Sequence, residues 1–120
     1  MPKKILIGED ELPMARVLEL KLKNSGYETR AVFNGEDVIK ELKKSKFDIL
    51  LLDLVMPKKD GFEVLEYLQK SKNKMPIIVL SNLSQQEDKS RVLELGAKEF
   101  FVKADTPLSE IVKNVKKIIK

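Results

Sequence analysis

The 120-residue sequence contains neither cysteine nor histidine. Without cysteine there is no disulfide, no thiolate metal site and no sulfur nucleophile. Without histidine the commonest general base and metal ligand is gone. No apolar run approaches the length of a membrane span. Met1-Pro2-Lys3-Lys4 leads into a short apolar stretch and then acids, so no signal peptide is read and the cytoplasm is the expected location. Linkers, repeats and low-complexity segments are missing too. Any chemistry must therefore rest on carboxylates, hydroxyls, lysines and backbone groups.

Hydrophobic residues make up 42% of the chain and charged residues 35%, as in a soluble globular protein. One domain spanning residues 1–120 is expected, long enough to bury roughly two-thirds of its unfolded surface without staples. The 23 basic and 19 acidic residues leave a net charge of +4. The lysines are spread over many segments, and no aromatic residues interleave with them. They read as solvated helix faces, and no direct nucleic acid binding or membrane association is expected.

Strand-like and helix-like patterns alternate five times. Strands are expected at Lys4–Gly8, Glu28–Val32, Asp48–Asp53, Ile77–Ser81 and Glu99–Val102. The second is half polar and suits a sheet edge. Helices are expected at Leu12–Asn24, Glu36–Ser45, from Gly61 onward, at Gln85–Leu95, and after Thr106-Pro107. Gly26 and Gly96 stand where helices should stop, and Ser84 stands where an N-cap is wanted. Five βα units imply an α/β fold, a doubly wound five-stranded parallel sheet with helices on both faces. Right-handed crossovers and one reversal of winding give strand order 2-1-3-4-5.

Asp53 ends the buried-looking run Ile49-Leu50-Leu51-Leu52, where a carboxylate is costly unless it has a partner or a task. Other strands also run into polar groups: Glu9-Asp10, Ser81 and Lys103. In a parallel sheet these collect at the carboxyl edge, beside the winding reversal where ligands bind. Each has a bland reading when taken alone. Asp10 would serve as a helix N-cap, Ser81 as a strand-end hydroxyl, Lys103 as a solvated strand end and Phe100 as core. Asp60-Gly61 reads as a turn and helix start without chemistry.

In this order and spacing, Glu9-Asp10, Asp53, Met56-Pro57-Lys58-Lys59-Asp60-Gly61, Ser81 and Lys103 resemble the receiver domain of two-component response regulators, of the chemotaxis type. The resemblance covers essentially the whole chain and implies a flavodoxin-like (βα)5 fold. It implies a signalling switch rather than an enzyme, promoting only its own phosphorylation and dephosphorylation. Asp53 would accept a phosphoryl group from a sensor histidine kinase or phosphotransfer protein. Mg²⁺ would be held by Asp10, Asp53 and the main-chain carbonyl of Val55, with Glu9 acting through water. Lys103 would pair with the phosphoryl oxygens, and Ser81 would bond them only once the phosphoryl is present. The switch aromatic would be Phe100, which lacks the hydroxyl that holds a tyrosine outward. The face of helix four, strand five and helix five would then meet a downstream protein, with the chain a monomer or a phosphorylation-dependent dimer. Lys113, Lys116, Lys117 and Lys120 would face an acidic partner or only water.

The chain departs from the family pattern at Ala104, where a proline with a cis bond is usual. A cis bond before alanine costs about 2.5–4 kcal/mol, so the expectation is a trans bond with a shifted loop or a strained cis bond. Asn82 replaces a usually small residue and would crowd the entry to Asp53 or add a hydrogen bond. Val55 and Leu83 flank the expected path of a hydrolytic water, and neither side chain can orient it, so slow phosphoryl loss is expected. Two other functions stay open on sequence. One is a phosphatase of the haloacid-dehalogenase type, although Val55 stands where that family places a second aspartate. The other is a degenerate receiver that binds partners without phosphorylation.

Overall fold

The computed structural model describes residues 2–83 and 85–119. Ser84, expected as a cap, and Lys120, expected on the last helix, lie outside the described residues. The strands are β1 (Lys4–Gly8), β2 (Glu28–Val32), β3 (Ile49–Leu52), β4 (Ile77–Ser81) and β5 (Glu99–Val102). All pair in parallel in the order β2-β1-β3-β4-β5. The half-polar β2 takes an edge, as its composition demanded. The helices are α1 (Leu12–Asn24), α2 (Gly35–Lys44), α3 (Gly61–Lys70), α4 (Gln86–Glu94) and α5 (Leu108–Ile118), with a 3₁₀ turn at Lys103–Asp105.

The four-residue apolar run of β3 is explained by two cores, one on each sheet face. Leu50 and Leu52 join Leu6, Val79 and the inward faces of α2, α3 and α4. Ile49 and Leu51 join Ile5, Ile7, Ile78 and Leu80 against Leu18 and Leu22 of α1 and Ile111 and Val115 of α5. Alternate side chains of one strand thus serve opposite cores, so the run needs no polar alternation.

β3 is shorter than expected at both ends. The Asp48 carboxylate instead accepts the backbone N–H of Lys4 at 2.7 Å. Asp53 lies just past the strand, its N–H donated to the Gly8 carbonyl at 2.9 Å. α2 begins one residue earlier than expected because the Asn34 side chain caps it by accepting from Asp37 N–H at 2.8 Å. α4 is shorter by one residue at each end, with Gln85 at its N-cap making no side-chain capping bond. Asp60 and Glu63 form a reciprocal capping box at the start of α3, so Asp60-Gly61 is the helix start that its sequence implied.

Candidate functional site

Four strand ends deliver the site. Glu9 and Asp10 follow β1, Asp53 follows β3, Ser81 closes β4 and Lys103 follows β5. The chain holds these ends in register beyond the ladders, since Glu9 N–H bonds the Val32 carbonyl at 3.0 Å. Glu9, Asp53 and Ser81 are buried, at 2%, 5% and 0% exposure, whereas Asp10 is open to solvent.

Lys103 organises the acids. Its ammonium donates to Glu9 Oε1 at 2.6 Å, to Asp53 Oδ2 at 2.8 Å and to Glu11 Oε1 at 3.0 Å. With 8% side-chain exposure it is not a solvated strand end. It is the partner that a buried Asp53 requires. Burial works against the ammonium, but the hydrogen bonds to Asp53, Glu9 and Glu11 outweigh it and hold Lys103 above its ordinary range. For Glu9 the balance falls the other way. Burial pushes its carboxyl up to about 7, although the bonds from Lys103 and from the Glu11 N–H oppose the shift.

The remaining Asp53 oxygen, Oδ1, accepts the Val55 N–H at 3.3 Å. Asp10, Glu11, Asp53, Val55, Ser81, Asn82 and Lys103 line a cleft of about 260 Å³. A larger groove of about 490 Å³ includes Lys23, Tyr27, Arg30 and Phe47 in its lining, but Asp53, Ser81 and Lys103 are all in the smaller one.

One carboxylate oxygen from each of Glu9, Asp10 and Asp53 lies within 4.8 Å of the others. Oxygen donors this close, at the mouth of an open cleft, fit a hard divalent cation that keeps some of its waters. Lys103 offsets only part of their negative charge. The expected ligands Asp10, Asp53 and Glu9 are thus brought together, and Val55 lines the same cleft.

Ser81 Oγ accepts the Leu83 N–H at 3.4 Å, a long bond within its own loop. Phe100 is half-buried and packs against the core beneath α3 and α4. The Lys103–Ala104 peptide is trans. Lys103 still reaches both Asp53 and Glu9, because the 3₁₀ turn begins at the lysine itself. Asp10 is not the N-cap of α1; that position is Glu11, without a side-chain capping bond. Leu83 packs partly on the core, so beside Val55 it is Asn82 that lines the cleft.

One residue of the site, Glu11, had no assigned role in the sequence. Glu11 was legible only as a third consecutive acid, and its reach to Lys103 depends on the turn into α1. The partner of Asn82 is the Ala104 N–H, which it accepts at 3.0 Å, so the added hydrogen bond is the form its side chain takes.

A doubly wound parallel sheet with a buried aspartate, clustered acids, a hydroxyl and a lysine at the carboxyl edge defines a small signalling domain of the phosphoacceptor class. The model for the response regulator receiver domain matches residues 5–116, and the chain belongs to that family. It is 36% identical over 120 residues to the alkaline phosphatase synthesis transcriptional regulatory protein PhoP of Bacillus subtilis, covering 100% of this chain and 50% of that protein. The chain thus spans about half the length of that curated relative. Its backbone is similar to the receiver domain of the Francisella response regulator 1452, with TM-score 0.92, 26% identity and coverage of 98% and 96% of the two chains. It is also similar to the receiver domain of a signal transduction histidine kinase from Syntrophus aciditrophicus, with TM-score 0.88, 31% identity and coverage of 98% and 89%. The chain is a receiver domain of the phosphorylation-activated kind, and the matches give no support to a phosphatase or to a degenerate binding module.

Proposed function

We propose that Asp53 is the phosphoacceptor and that the partner is a histidine kinase or phosphotransfer protein acting in the cytoplasm. The observation that carries this reading is the buried Asp53 carboxylate, bonded to a buried lysine at 2.8 Å, in a cleft that also holds Asp10 and Ser81. A carboxylate oxygen of Asp53 would attack phosphorus. A P–O bond forms, the P–N bond of the phosphohistidine breaks, and the imidazole leaves with the bonding electron pair. Such transfers depend on positioning and on neutralising charge more than on covalent chemistry by the protein.

Asp10, Asp53 and the Val55 carbonyl would hold Mg²⁺, with Glu9 reached through water. When bound, Mg²⁺ would neutralise charge on the acids and on the phosphoryl oxygens. The Lys103 ammonium would exchange part of its carboxylate contacts for a phosphoryl oxygen. Among the described residues Ser81 Oγ makes one long bond, as acceptor, and its hydroxyl proton would be donated to another phosphoryl oxygen. That movement would vacate space for Phe100 and alter the α4–β5–α5 face where a downstream protein binds. The anchoring of α4 supports such a shift, since Val92 is its one buried residue.

Incubation with acetyl phosphate and Mg²⁺ should add one phosphoryl group, seen by intact-protein mass, and Asp53→Asn should abolish it. Multiple turnover on phosphate esters would make the chain a phosphatase. A wild-type chain that gains nothing would be a phosphorylation-independent binding module.

A further inference from the structure

The bond between Asn82 Oδ1 and the Ala104 N–H joins two loops that are 22 residues apart in sequence. Asn82 directly follows Ser81, the last residue of β4, and Ala104 directly follows Lys103, the first residue of the 3₁₀ turn. Each end of the bond is therefore one residue from a group assigned above to the phosphoryl oxygens. The turn closes on itself at its far end, where Thr106 N–H bonds the Lys103 carbonyl at 3.4 Å and Thr106 Oγ1 donates to the Val102 carbonyl at 2.8 Å. The Ala104 N–H is different. First N–H groups of a helical turn have no partner inside it and must find one elsewhere. Asn82 supplies that partner from another strand end, acting as an N-cap across loops.

We propose that Asn82 is a positioning residue that fixes the backbone of Lys103 relative to Ser81. The inference rests on Asp53 being the acceptor. The need for such a device follows from the lysine itself. Its flexible four-carbon stem is held at the tip by Glu9, Glu11 and Asp53. A phosphoryl group on Asp53 competes for that same tip and loosens the carboxylate clamp. The bond to Asn82 does not involve the ammonium, so it survives the exchange. It also ties the two phosphoryl contacts together: displacement of the Ser81 loop toward Asp53 draws the Lys103 turn with it. The rival role for Asn82 is obstruction, because its side chain lines the cleft.

Amide hydrogen exchange and acetyl phosphate kinetics with Mg²⁺ separate these roles. Asn82 is exposed, so its variants should fold. In Asn82→Leu, similar in size but without an acceptor, exchange at the Ala104 amide of the unphosphorylated protein should rise about fivefold, the loss of one ordinary hydrogen bond. Asn82→Asp, which keeps an acceptor oxygen, should restore protection. Phosphorylation of Asn82→Leu and Asn82→Ala should slow by a similar factor. Faster phosphorylation of Asn82→Ala than of wild type would establish obstruction and overturn the proposal. So would unchanged Ala104 exchange in Asn82→Leu, failure of Asn82→Asp to restore protection, or altered exchange with unaltered phosphorylation. A wild-type chain that takes up no phosphoryl group would instead overturn the acceptor reading, and this one with it.

Discussion

At the residue scale the site is a balance between burial and one ammonium group. Lys103, Glu9 and Asp53 are almost wholly enclosed, with side-chain exposures of 8%, 2% and 5%. Removing one member of a buried pair costs about 3–5 kcal/mol, because the other charge is left unpaired. Lys103→Met should therefore destabilise the metal-free protein by about that amount in urea unfolding at pH 8, and Mg²⁺ should recover part of the loss. Glu9 adds a pH dependence whose sign is fixed. Its folded-state carboxyl titrates at about 7 against an ordinary 4.5, so the folded protein holds the extra proton between those values. Stability of the metal-free protein should fall as pH rises through that window. Unfolding free energies measured across it should lose this slope in Glu9→Gln. Val55, 56% exposed at the cleft, offers no group to orient water. The acyl phosphate should accordingly decay slowly, and Val55→Asn should shorten its half-life several-fold. Rapid decay that Val55→Asn leaves unchanged would show that water is oriented by some other group.

At the element scale, three helices end in the same backbone motif with different residues at its left-handed position. α1 uses Gly26 at φ 97° and α4 uses Gly96 at φ 104°, but α3 uses Lys72 at φ 56°. The bonds agree: Tyr27 N–H to the Leu22 carbonyl, Ala97 N–H to Val92 and Asn73 N–H to Leu68. A side chain in that region costs about 1 kcal/mol or more, and glycine avoids it. Lys72→Gly should raise stability by about 0.5–1 kcal/mol in denaturant titrations and leave phosphorylation untouched. Gly61 has a different reason to be glycine. A Cβ there would run into the Asp53 carbonyl and the Leu54 backbone. Gly61→Ala should therefore both destabilise the fold and slow phosphorylation, because it pushes on the backbone of Asp53, the proposed acceptor. The strands and helices were largely legible from periodicity and glycine placement. The ends of β3 were not, because they turn on bonds such as that between Lys4 N–H and the Asp48 carboxylate, which join distant segments.

At the scale of the whole molecule, parallel topology sorts charge. Every helix starts at the carboxyl edge of the sheet, and first turns carry Glu36, Asp37, Glu63, Glu87, Asp88 and Glu110. Last turns at the opposite end carry Lys21, Lys23, Lys43, Lys44, Lys70, Lys116 and Lys117. Each placement suits the helix dipole by about 0.3–1 kcal/mol. Together with Glu9, Asp10, Glu11 and Asp53 they make the site's edge acidic although the chain is net basic, at +4. That field attracts a divalent cation and repels an anionic donor. At saturating Mg²⁺, added salt should speed phosphorylation by acetyl phosphate, while Mg²⁺ affinity should weaken with salt. Asp10→Asn removes one exposed like charge. It should leave metal-free stability equal or higher, and where Mg²⁺ should raise the Tm of the wild type it should leave that of the variant unchanged.

The sequence by itself determined the alternation of elements, the strand order and the set Glu9, Asp10, Asp53, Ser81 and Lys103. Those follow from local periodicity and from the rule that parallel strands bring their carboxyl ends to one edge. Tertiary structure alone decided how the set is wired. The clamp that Glu11 completes on the lysine and the link from Asn82 to Ala104 depend on loops meeting from different strands. A hydrogen bond acts over about 3 Å, and residues so far apart in the chain reach that distance only after the sheet has formed.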